Sequence, residues 1–217
     1  MKSQVKRMPN VRGEGERLRQ EILDAATRIL EETGREDALS LRGVAREVGI
    51  SAPSVYRHFK DKGDLVSTVL DAAYRTLAVA MSKAGESAAA AGADPWARVR
   101  ATVTAYRRFA IDKPRRYQLM FSLEYEPERR PSADHPIGTV LQAWTDTADA
   151  YLTEAAPGRR AEAQDLGIHL WTALHGQLVL WRTLPSPVAG SEDVLIELEE
   201  SLLRRLLPTP ETPSPTE

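Results

Sequence analysis

Apolar residues recur every three or four positions along most of the chain, and no segment shows the alternation of apolar and polar residues that marks a strand. In the first such stretch Leu18, Ile22, Ala25 and Ile29 share one face of a helix that begins near Glu16. This period restricts the chain to an all-α fold of about nine helices. The 217 residues, 42 % of them hydrophobic, can bury a core without a covalent staple.

Glycines and capping residues divide the periodic pattern into separate helices. Gly34 ends the first helix and Gly49 the second, because glycine adopts the left-handed conformation at a helix end at little cost. Ser40 and Ser51 precede the next two helices and are expected to cap them. Similar signals predict a long helix capped by Asp64, a loop over 84–94, helices opened by Pro95 and Pro114, a loop over 124–136, and helices over 137–155, 160–184 and 191–206.

Charge is distributed unevenly along the chain. Residues 1–63 hold 13 Lys/Arg and 10 Asp/Glu, whereas residues 64–217 hold 16 and 21. A basic N-terminal region fits either a module that faces phosphates or a solubilising tail. The chain has no cysteine, which excludes disulfides and thiolate metal sites and fits a cytoplasmic protein. We expect no cofactor and no metal site.

Residues 40–63, SLRGVAREVGISAPSVYRHFKDKG, have the spacing of a helix-turn-helix. A small apolar core would hold the second helix outward; it is predicted to contain Val44, Ala45, Val48, Ile50, Val55 and Phe59. The residues that this helix turns outward are Ala52, Pro53, Ser54, Tyr56, Arg57 and His58. Small residues at its start allow deep entry into a major groove, and Tyr56, His58 and Lys62 can bind phosphates. The same spacing also fits a three-helix core without a DNA-binding role.

The residue types of this region resemble the DNA-binding domain of the TetR/AcrR transcriptional regulators over about 50 positions. The residues that carry the resemblance are ILDAATRIL at 22–30, Gly34, Leu41, Val44, Ala45, Val48, Gly49, Ser51, Tyr56-Arg57-His58-Phe59, Lys62 and Leu65. The resemblance implies a DNA-binding surface with three kinds of contact: phosphate contacts from Tyr56, His58 and Lys62; base-facing positions at Ala52, Pro53, Ser54 and Arg57; and backbone or base contacts from Arg42, with Ser51 at the helix start. Ala52 and Pro53 carry no side-chain donor, so base reading would depend on Ser54, Arg57, methyl contacts and DNA shape.

A second resemblance lies in residues 170–181, LWTALHGQLVLW. Trp171, His175 and Gly176 resemble the Trp-His-Gly signature of one class of TetR-like C-terminal domains. Pro114, Tyr117 and Met120-Phe121 fit the same class. His175 either contacts an effector, with a charge that changes near neutral pH, or is a core histidine satisfied by a neighbouring carbonyl or hydroxyl. Gly176 is interpreted as a position of close helix packing.

The C-terminal half is expected to enclose a small, largely hydrophobic effector between its helices. The candidate lining residues are Trp96, Tyr106, Phe109, Tyr117, Phe121, Trp144, Trp171 and His175, each of which also fits an ordinary core. Apolar faces of the last two helices are expected to pair with a second copy in a homodimer. The residues predicted for this interface are Leu174, Leu178, Trp181, Leu195, Leu198, Leu202 and Leu206.

The sequence therefore predicts a regulator with four parts. They are a flexible basic arm over 1–15, a helix-turn-helix domain over 16–63, an effector and dimerisation domain over 64–207, and a disordered tail over 208–217. Its expected partners are an operator of palindromic double-stranded DNA, from which the effector releases it, a small-molecule effector and a second copy, with no membrane. The apolar window over 166–184 contains His169, His175, Gln177 and Arg182, which favours a buried helix over a membrane span.

Two other classes of protein compete with this interpretation. An enzyme is disfavoured because His169 and His175 lie six residues apart without an HExxH pattern, and no glycine-rich phosphate loop follows a strand. A helical adaptor would have the same core but no affinity for DNA. The resemblance to the TetR/AcrR regulators implies that the protein is a repressor, and activation is the alternative that the sequence leaves open.

Overall fold

A computed structural model describes residues 14–121, 136–185 and 190–209. Within these ranges the chain forms nine α-helices, two short 3-10 helices and no strand, which confirms the all-α prediction. The α-helices are α1 (Glu14–Thr33), α2 (Leu41–Val48), α3 (Ala52–Tyr56), α4 (Lys62–Ala90), α5 (Pro95–Asp112), α6 (Pro114–Phe121), α7 (Ile137–Ala155), α8 (Ala163–Thr183) and α9 (Glu192–Leu206). The 3-10 helices are Glu36–Ala38 and Pro157–Glu162.

The described residues form two compact units. The first contains residues 14–73 and 115–121, and the second contains the remaining described residues, so α4 runs from one unit into the other. Most of the predicted arm, the loop predicted over 124–136 and most of the tail lie outside the described residues. The division of function at residue 63 stays a prediction.

Local chemistry ends the helices where the sequence indicates. The hydroxyl of Ser40 accepts a hydrogen bond from the amide of Gly43 at 3.0 Å, and Asp94 caps α5 by accepting from the amide of Ala97 at 2.7 Å. Gly34 and Gly49 have φ of 66° and 76°, a conformation that side chains with a Cβ rarely adopt. These four predicted helix ends are confirmed.

Two predictions about α4 are wrong. The helix begins at Lys62 rather than after Asp64, because Asp61 supplies the cap: its Oδ1 accepts the amide of Asp64 at 2.9 Å. The carboxylate of Asp64 in turn accepts the amide of Lys60 at 2.9 Å. The loop predicted over 84–94 is helical as far as Ala90, because its many alanines favour a helix more than its glycines oppose one.

Close packing of α7 against α8 occurs at Gly167. A Cβ atom there would lie 2.9 Å from both the Cα and the amide nitrogen of Thr145, so no side chain fits without moving the backbone. A Cβ at Gly176 would meet nothing within 4 Å, so this glycine does not pack against the described residues of its own chain, and close packing there against a second copy stays a prediction. The glycine that brings the two helices together therefore lies nine residues earlier in α8.

The predicted dimer face also needs correction. Leu174, Leu178 and Leu195 are buried within the chain and belong to its own core. The apolar side chains that α8, α9 and the residue after α8 leave exposed are Val179, Leu180, Leu184, Val194 and Leu198. Of the predicted set, only Leu198 is largely exposed.

The apolar window over 166–184 corresponds to most of α8. In the described part of the chain, no helix combines the length and the apolar composition needed to cross a membrane. Arg182 of this window donates a hydrogen bond from Nη1 to the carbonyl of Ala110 at 2.6 Å.

Candidate nucleic-acid interface and ligand cavity

The turn between α2 and α3 is fixed by hydrogen bonds and by the apolar core beneath it. Gly49 adopts the left-handed conformation, and the amide of Ile50 donates to the carbonyl of Ala45 at 2.9 Å. Val55 and Phe59 are almost completely buried, together with Val44, Ala45 and neighbouring residues of the same core. The core predicted for the helix-turn-helix is confirmed. It holds α3 with one face free.

The residues predicted to contact DNA lie in α3, immediately before and after it, and at the starts of α2 and α4. Tyr56 is 55 % exposed, and Pro53 and Arg57 are also exposed. Ala52, Ser54, His58 and Lys62 are half-buried, whereas Arg42 and Ser51 are exposed. None of these nine residues is buried, so each keeps some surface that solvent or DNA can reach.

Helix α3 is shorter than the sequence suggests. It ends at Tyr56, and Arg57, His58 and Phe59 lie in the following turn, where the amides of His58 and Phe59 both donate to the carbonyl of Val55. The buried ring of Phe59 and the cap at Asp61 require the chain to change direction at this point. The guanidinium of Arg19 lies 5.1 Å from the centroid of the Phe59 ring.

Three polar side chains of this face are joined in a chain. The hydroxyls of Ser51 and Ser54 lie 2.9 Å apart, and Nη2 of Arg57 donates to the Ser54 hydroxyl at 3.3 Å. Ser51 stands at the cap position of α3 but accepts no backbone amide, so the predicted side-chain cap is not formed. Its hydroxyl instead helps to hold Ser54 and, through it, Arg57.

Two arginines of α6 bind the end of α1 within the same unit. Nη1 of Arg115 donates to the carbonyl of Glu31 at 3.1 Å and also to that of Glu32, and Arg116 forms an ion pair with the carboxylate of Glu31. A positive charge at a helix C-terminus is favourable because it satisfies carbonyls that have no partner within the helix. Sequence reasoning missed this contact, since its two sides are more than 80 residues apart.

In the second unit, the structure brings four of the predicted effector-site residues together. The hydroxyl of Tyr106 accepts a hydrogen bond from Nε1 of Trp171 at 3.1 Å and lies 2.9 Å from Nδ1 of His175. The Tyr106 ring meets that of Trp144 edge to face, with centroids 5.4 Å apart. A neighbouring hydroxyl thus satisfies Nδ1 of His175, as the core-histidine interpretation expects, and a contact of His175 with an effector stays a prediction. Burial lowers the pKa of His175.

The other four predicted residues have the following surroundings. The rings of Tyr117 and Phe121 pack together in α6, with centroids 4.7 Å apart, and belong to the first unit. Phe109 is buried and carries Lys113 at 5.6 Å from its ring centroid. Trp96 is half-buried near the start of α5.

A cavity of about 230 Å³ lies among α4, α5 and α7 in the second unit. Its lining consists of Ser82, Gly85, Glu86, Ala89, Pro95, Arg98, Val99, Thr102, Ala143, Asp146, Thr147, Ala150 and Tyr151. None of the eight predicted aromatic and histidine residues lines it. Small side chains leave this space, so the aromatic residues of the sequence do not indicate where it lies. Among the described residues, no cluster of His, Asp or Glu could hold a metal ion.

A helix-turn-helix with an outward reading face, joined to a helical unit that contains a cavity, defines a DNA-binding regulator with a separate receiving domain. Comparison with known proteins makes this class more specific. Residues 22–69 match the bacterial regulatory proteins of the tetR family, and residues 99–202 match the tetracyclin repressor-like C-terminal domain. Because the two matches together span well over half of the chain, the protein belongs to the TetR family. It is therefore a ligand-responsive DNA-binding transcriptional regulator and not an enzyme.

Solved structures share the fold over nearly the whole chain. A candidate regulatory protein designated SCO4313 is 28 % identical, with a TM-score of 0.67 over 92 % of this chain and 99 % of that one. A TetR-family transcriptional regulator from Streptomyces coelicolor is 21 % identical, with a TM-score of 0.62 over 90 % and 100 %. The regulator FadR from Bacillus subtilis, solved with stearoyl-CoA, is 16 % identical, with a TM-score of 0.59 over 87 % and 97 %.

Proposed function

We propose that the protein is a cytoplasmic repressor that binds a palindromic operator as a homodimer and is released by a small effector with an apolar body. The observation that carries the proposal is the geometry of α3. Val55 anchors it in the core while Tyr56, next in the chain, is 55 % exposed. A short helix held in this way can enter a major groove.

The DNA contacts divide by chemistry. Tyr56, His58 and Lys62 offer a hydroxyl, an imidazole and an ammonium group, which suit phosphates irrespective of sequence. Arg57 and Ser54 are the polar side chains at base-facing positions, and arginine binds guanine with two hydrogen bonds. Arg42, at the start of α2, is exposed and would add a contact to the backbone or to a base.

Homodimer formation is supported by the apolar side chains that the last helices leave exposed. Leu180 of α8 is 59 % exposed and Leu198 of α9 is 49 % exposed. The open space at Gly176 would let the backbone of a second α8 approach closely. Pairing these helices with their copies would form a four-helix interface and give the protein two reading heads.

The effector would bind in the second unit and alter the spacing of the heads. Within the described residues the chain passes between the receiving unit and the reading unit at two places: α4 runs through both, and α5 is joined to α6 by Lys113 alone. Arg115 and Arg116 of α6 then hold the end of α1. The effector-binding role of the aromatic residues, and membership of the Trp-His-Gly class, stay predictions.

Selection of promoter fragments with the purified protein tests the proposal. We expect enrichment of one inverted repeat and binding that weakens steeply as salt rises, because phosphate contacts release counterions. Transcription in vitro from the recovered promoter should fall when the protein is added. A protein with no DNA affinity, or with weak affinity that salt does not change, would instead be an adaptor.

A further inference from the structure

The cavity among α4, α5 and α7 has an apolar floor and an acidic rim. Val99, Thr102, Ala143 and Tyr151 are buried and form its inner wall, whereas Glu86 and Asp146 are exposed at its mouth. The cavity therefore has a largely apolar inner wall and a charged entrance. A ligand that fits it needs an apolar body and a polar group at one end.

The polar groups of the floor are already engaged by the protein. The hydroxyl of Thr147 donates to the carbonyl of Ala143 at 2.8 Å, and that of Thr102 to the carbonyl of Arg98 at 3.4 Å. The Tyr151 hydroxyl donates to the carbonyl of Pro208 at 2.7 Å. The floor therefore favours an apolar group over one that needs hydrogen bonds.

The basic side chain in the lining is also neutralised. Nε of Arg98 donates to the carbonyl of Ala93 at 2.8 Å, and its Nη1 forms an ion pair with Glu154. Its charge is thus balanced by Glu154, a carboxylate outside the lining. An anionic ligand would meet no uncompensated positive charge among these lining residues.

Negative charge at the mouth has no such balance. Glu86 forms no ion pair or hydrogen bond with the described residues, and Asp146 accepts only the neutral amide of Gln142 at 2.8 Å. Asp94 is a third carboxylate nearby: burial first, and then the charge of Asp94, raise the pKa of the Tyr151 phenol. The local field favours positive charge at the rim.

We infer that this cavity binds a small organic cation, with its apolar body against Val99 and Ala143 and its positive group between Glu86 and Asp146. A volume of about 230 Å³ corresponds to roughly eight water molecules, so the buried part of the ligand is compact. As the effector site of the regulator, the cavity rests on the proposed function. As a binding site, it can be tested without DNA.

Three compounds with the same ring test the charge. Cyclohexylmethylamine is cationic at neutral pH, cyclohexylmethanol is neutral and cyclohexanecarboxylate is anionic. Titration calorimetry or NMR with the full chain should rank them in that order, with the amine binding about tenfold more tightly than the alcohol. Equal affinity for amine and alcohol, or a preference for the carboxylate, would overturn the inference.

Variants at the rim locate the site. Glu86→Gln and Asp146→Asn should each weaken amine binding by about threefold to tenfold and leave alcohol binding unchanged. Both residues are exposed, so neither change should unfold the protein. Asp193→Asn, which removes the same charge from α9 outside the lining, is the matched control and should have no effect. Equal losses in Asp193→Asn and Glu86→Gln would mean that only net charge matters.

Ala150→Phe, which fills the mouth from an exposed position, should weaken binding of all three compounds. Undiminished binding in that variant would overturn the assignment to this cavity.

The result of the promoter selection is judged separately from these binding measurements. If it fails while the ranking of compounds holds, the proposed regulation is wrong and the cation site stands.

Discussion

Arg107 of α5 donates a hydrogen bond from Nη1 to the carboxylate of Glu199 in α9 at 2.5 Å, and each residue is only 6 % exposed. This buried ion pair joins two helices that lie 92 positions apart in sequence. Glu192 adds a second, longer contact, 3.4 Å from Nε of Arg107. The pair therefore sets the position of α9, whose exposed face is proposed for dimerisation.

Glu199→Ala should destabilise the fold by about 3–5 kcal/mol, because it leaves the guanidinium of Arg107 buried without its main partner. Replacing both residues, Arg107→Met with Glu199→Leu, should recover most of that loss. Urea unfolding followed by circular dichroism measures both changes. A double variant as unstable as the single one would show that the pair itself contributes net stability.

Burial raises the pKa of Glu199 above its ordinary value of 4.5, although Arg107 opposes the shift. Since the folded state then holds the proton more tightly, this group contributes stability below pH 4.5 and loses it as pH rises through the raised pKa. Glu199→Gln should remove that dependence. The comparison is the free energy of unfolding of the two proteins from pH 4.5 upward, and parallel curves would contradict the shift.

Tyr106→Phe should destabilise the second unit by about 1–3 kcal/mol, because it removes the hydroxyl that binds both Trp171 and His175.

The lowered pKa of His175 makes the stability of the fold depend on pH, with a sign that follows from the direction of the shift. The stabilising contribution of His175 is complete above pH 6.5, its ordinary pKa, and is lost as the pH falls through the lowered pKa. Thermal unfolding of wild type and His175→Gln across this range measures it. Identical profiles would count against it.

Ser54→Ala should change which sequences the protein prefers. The variant removes the hydroxyl that holds Arg57, so the guanidinium gains freedom at a base-facing position. Tyr56→Phe is the contrasting variant and should weaken binding to all duplexes alike, by about 0.5–1.5 kcal/mol. Lys62→Ala should lower the slope of affinity against salt by about one. Uniform losses for all three variants on every sequence would refute this division.

Leu180→Glu and Leu198→Glu should each convert the proposed homodimer to monomers while leaving the fold intact, because both side chains are largely exposed. Val79→Glu is the control, since Val79 of α4 is 51 % exposed but lies outside the proposed interface. Sedimentation velocity distinguishes the two states. A dimer that survives both leucine changes would require another interface.

Gly167→Ala should destabilise the protein by about 1–3 kcal/mol, because the new Cβ would meet the backbone of Thr145 and the helices would have to separate. Gly138→Ala in α7 has open space and should instead stabilise by about 0.5 kcal/mol. Melting temperatures of the two variants should therefore move in opposite directions.

Features determined by neighbouring residues were predictable from the sequence. Ser40, Gly34, Gly49 and Asp94 end or begin helices through contacts within a few positions, and the core under α3 follows from helical spacing. These interactions depend only on local geometry. The sequence alone therefore predicts the helix-turn-helix and the core beneath it.

Features that depend on tertiary packing were not predictable in this way. Periodicity does not distinguish a Leu174 that packs within its own chain from one that packs against a partner. Nor does it distinguish Gly167 from Gly176 in α8, because only the contact with Thr145 shows which of them permits close packing. The cavity arises from small residues on three helices, so no single stretch indicates it. Nor does α6 reveal, from its own sequence, that its arginines bind α1.

The five residues of α3 extend for roughly 7.5 Å, which equals about two steps along a DNA strand. A sequence of two or three base pairs recurs throughout any genome, so a single α3 reads too little sequence to select one promoter. In the proposed homodimer, specificity would then depend on the distance and the helical phase between two such half-sites. Inserting one base pair at the centre of the operator would rotate one half-site by about 35° relative to the α3 helix that contacts it. The regulator would then select its operator mainly by the spacing between the two half-sites.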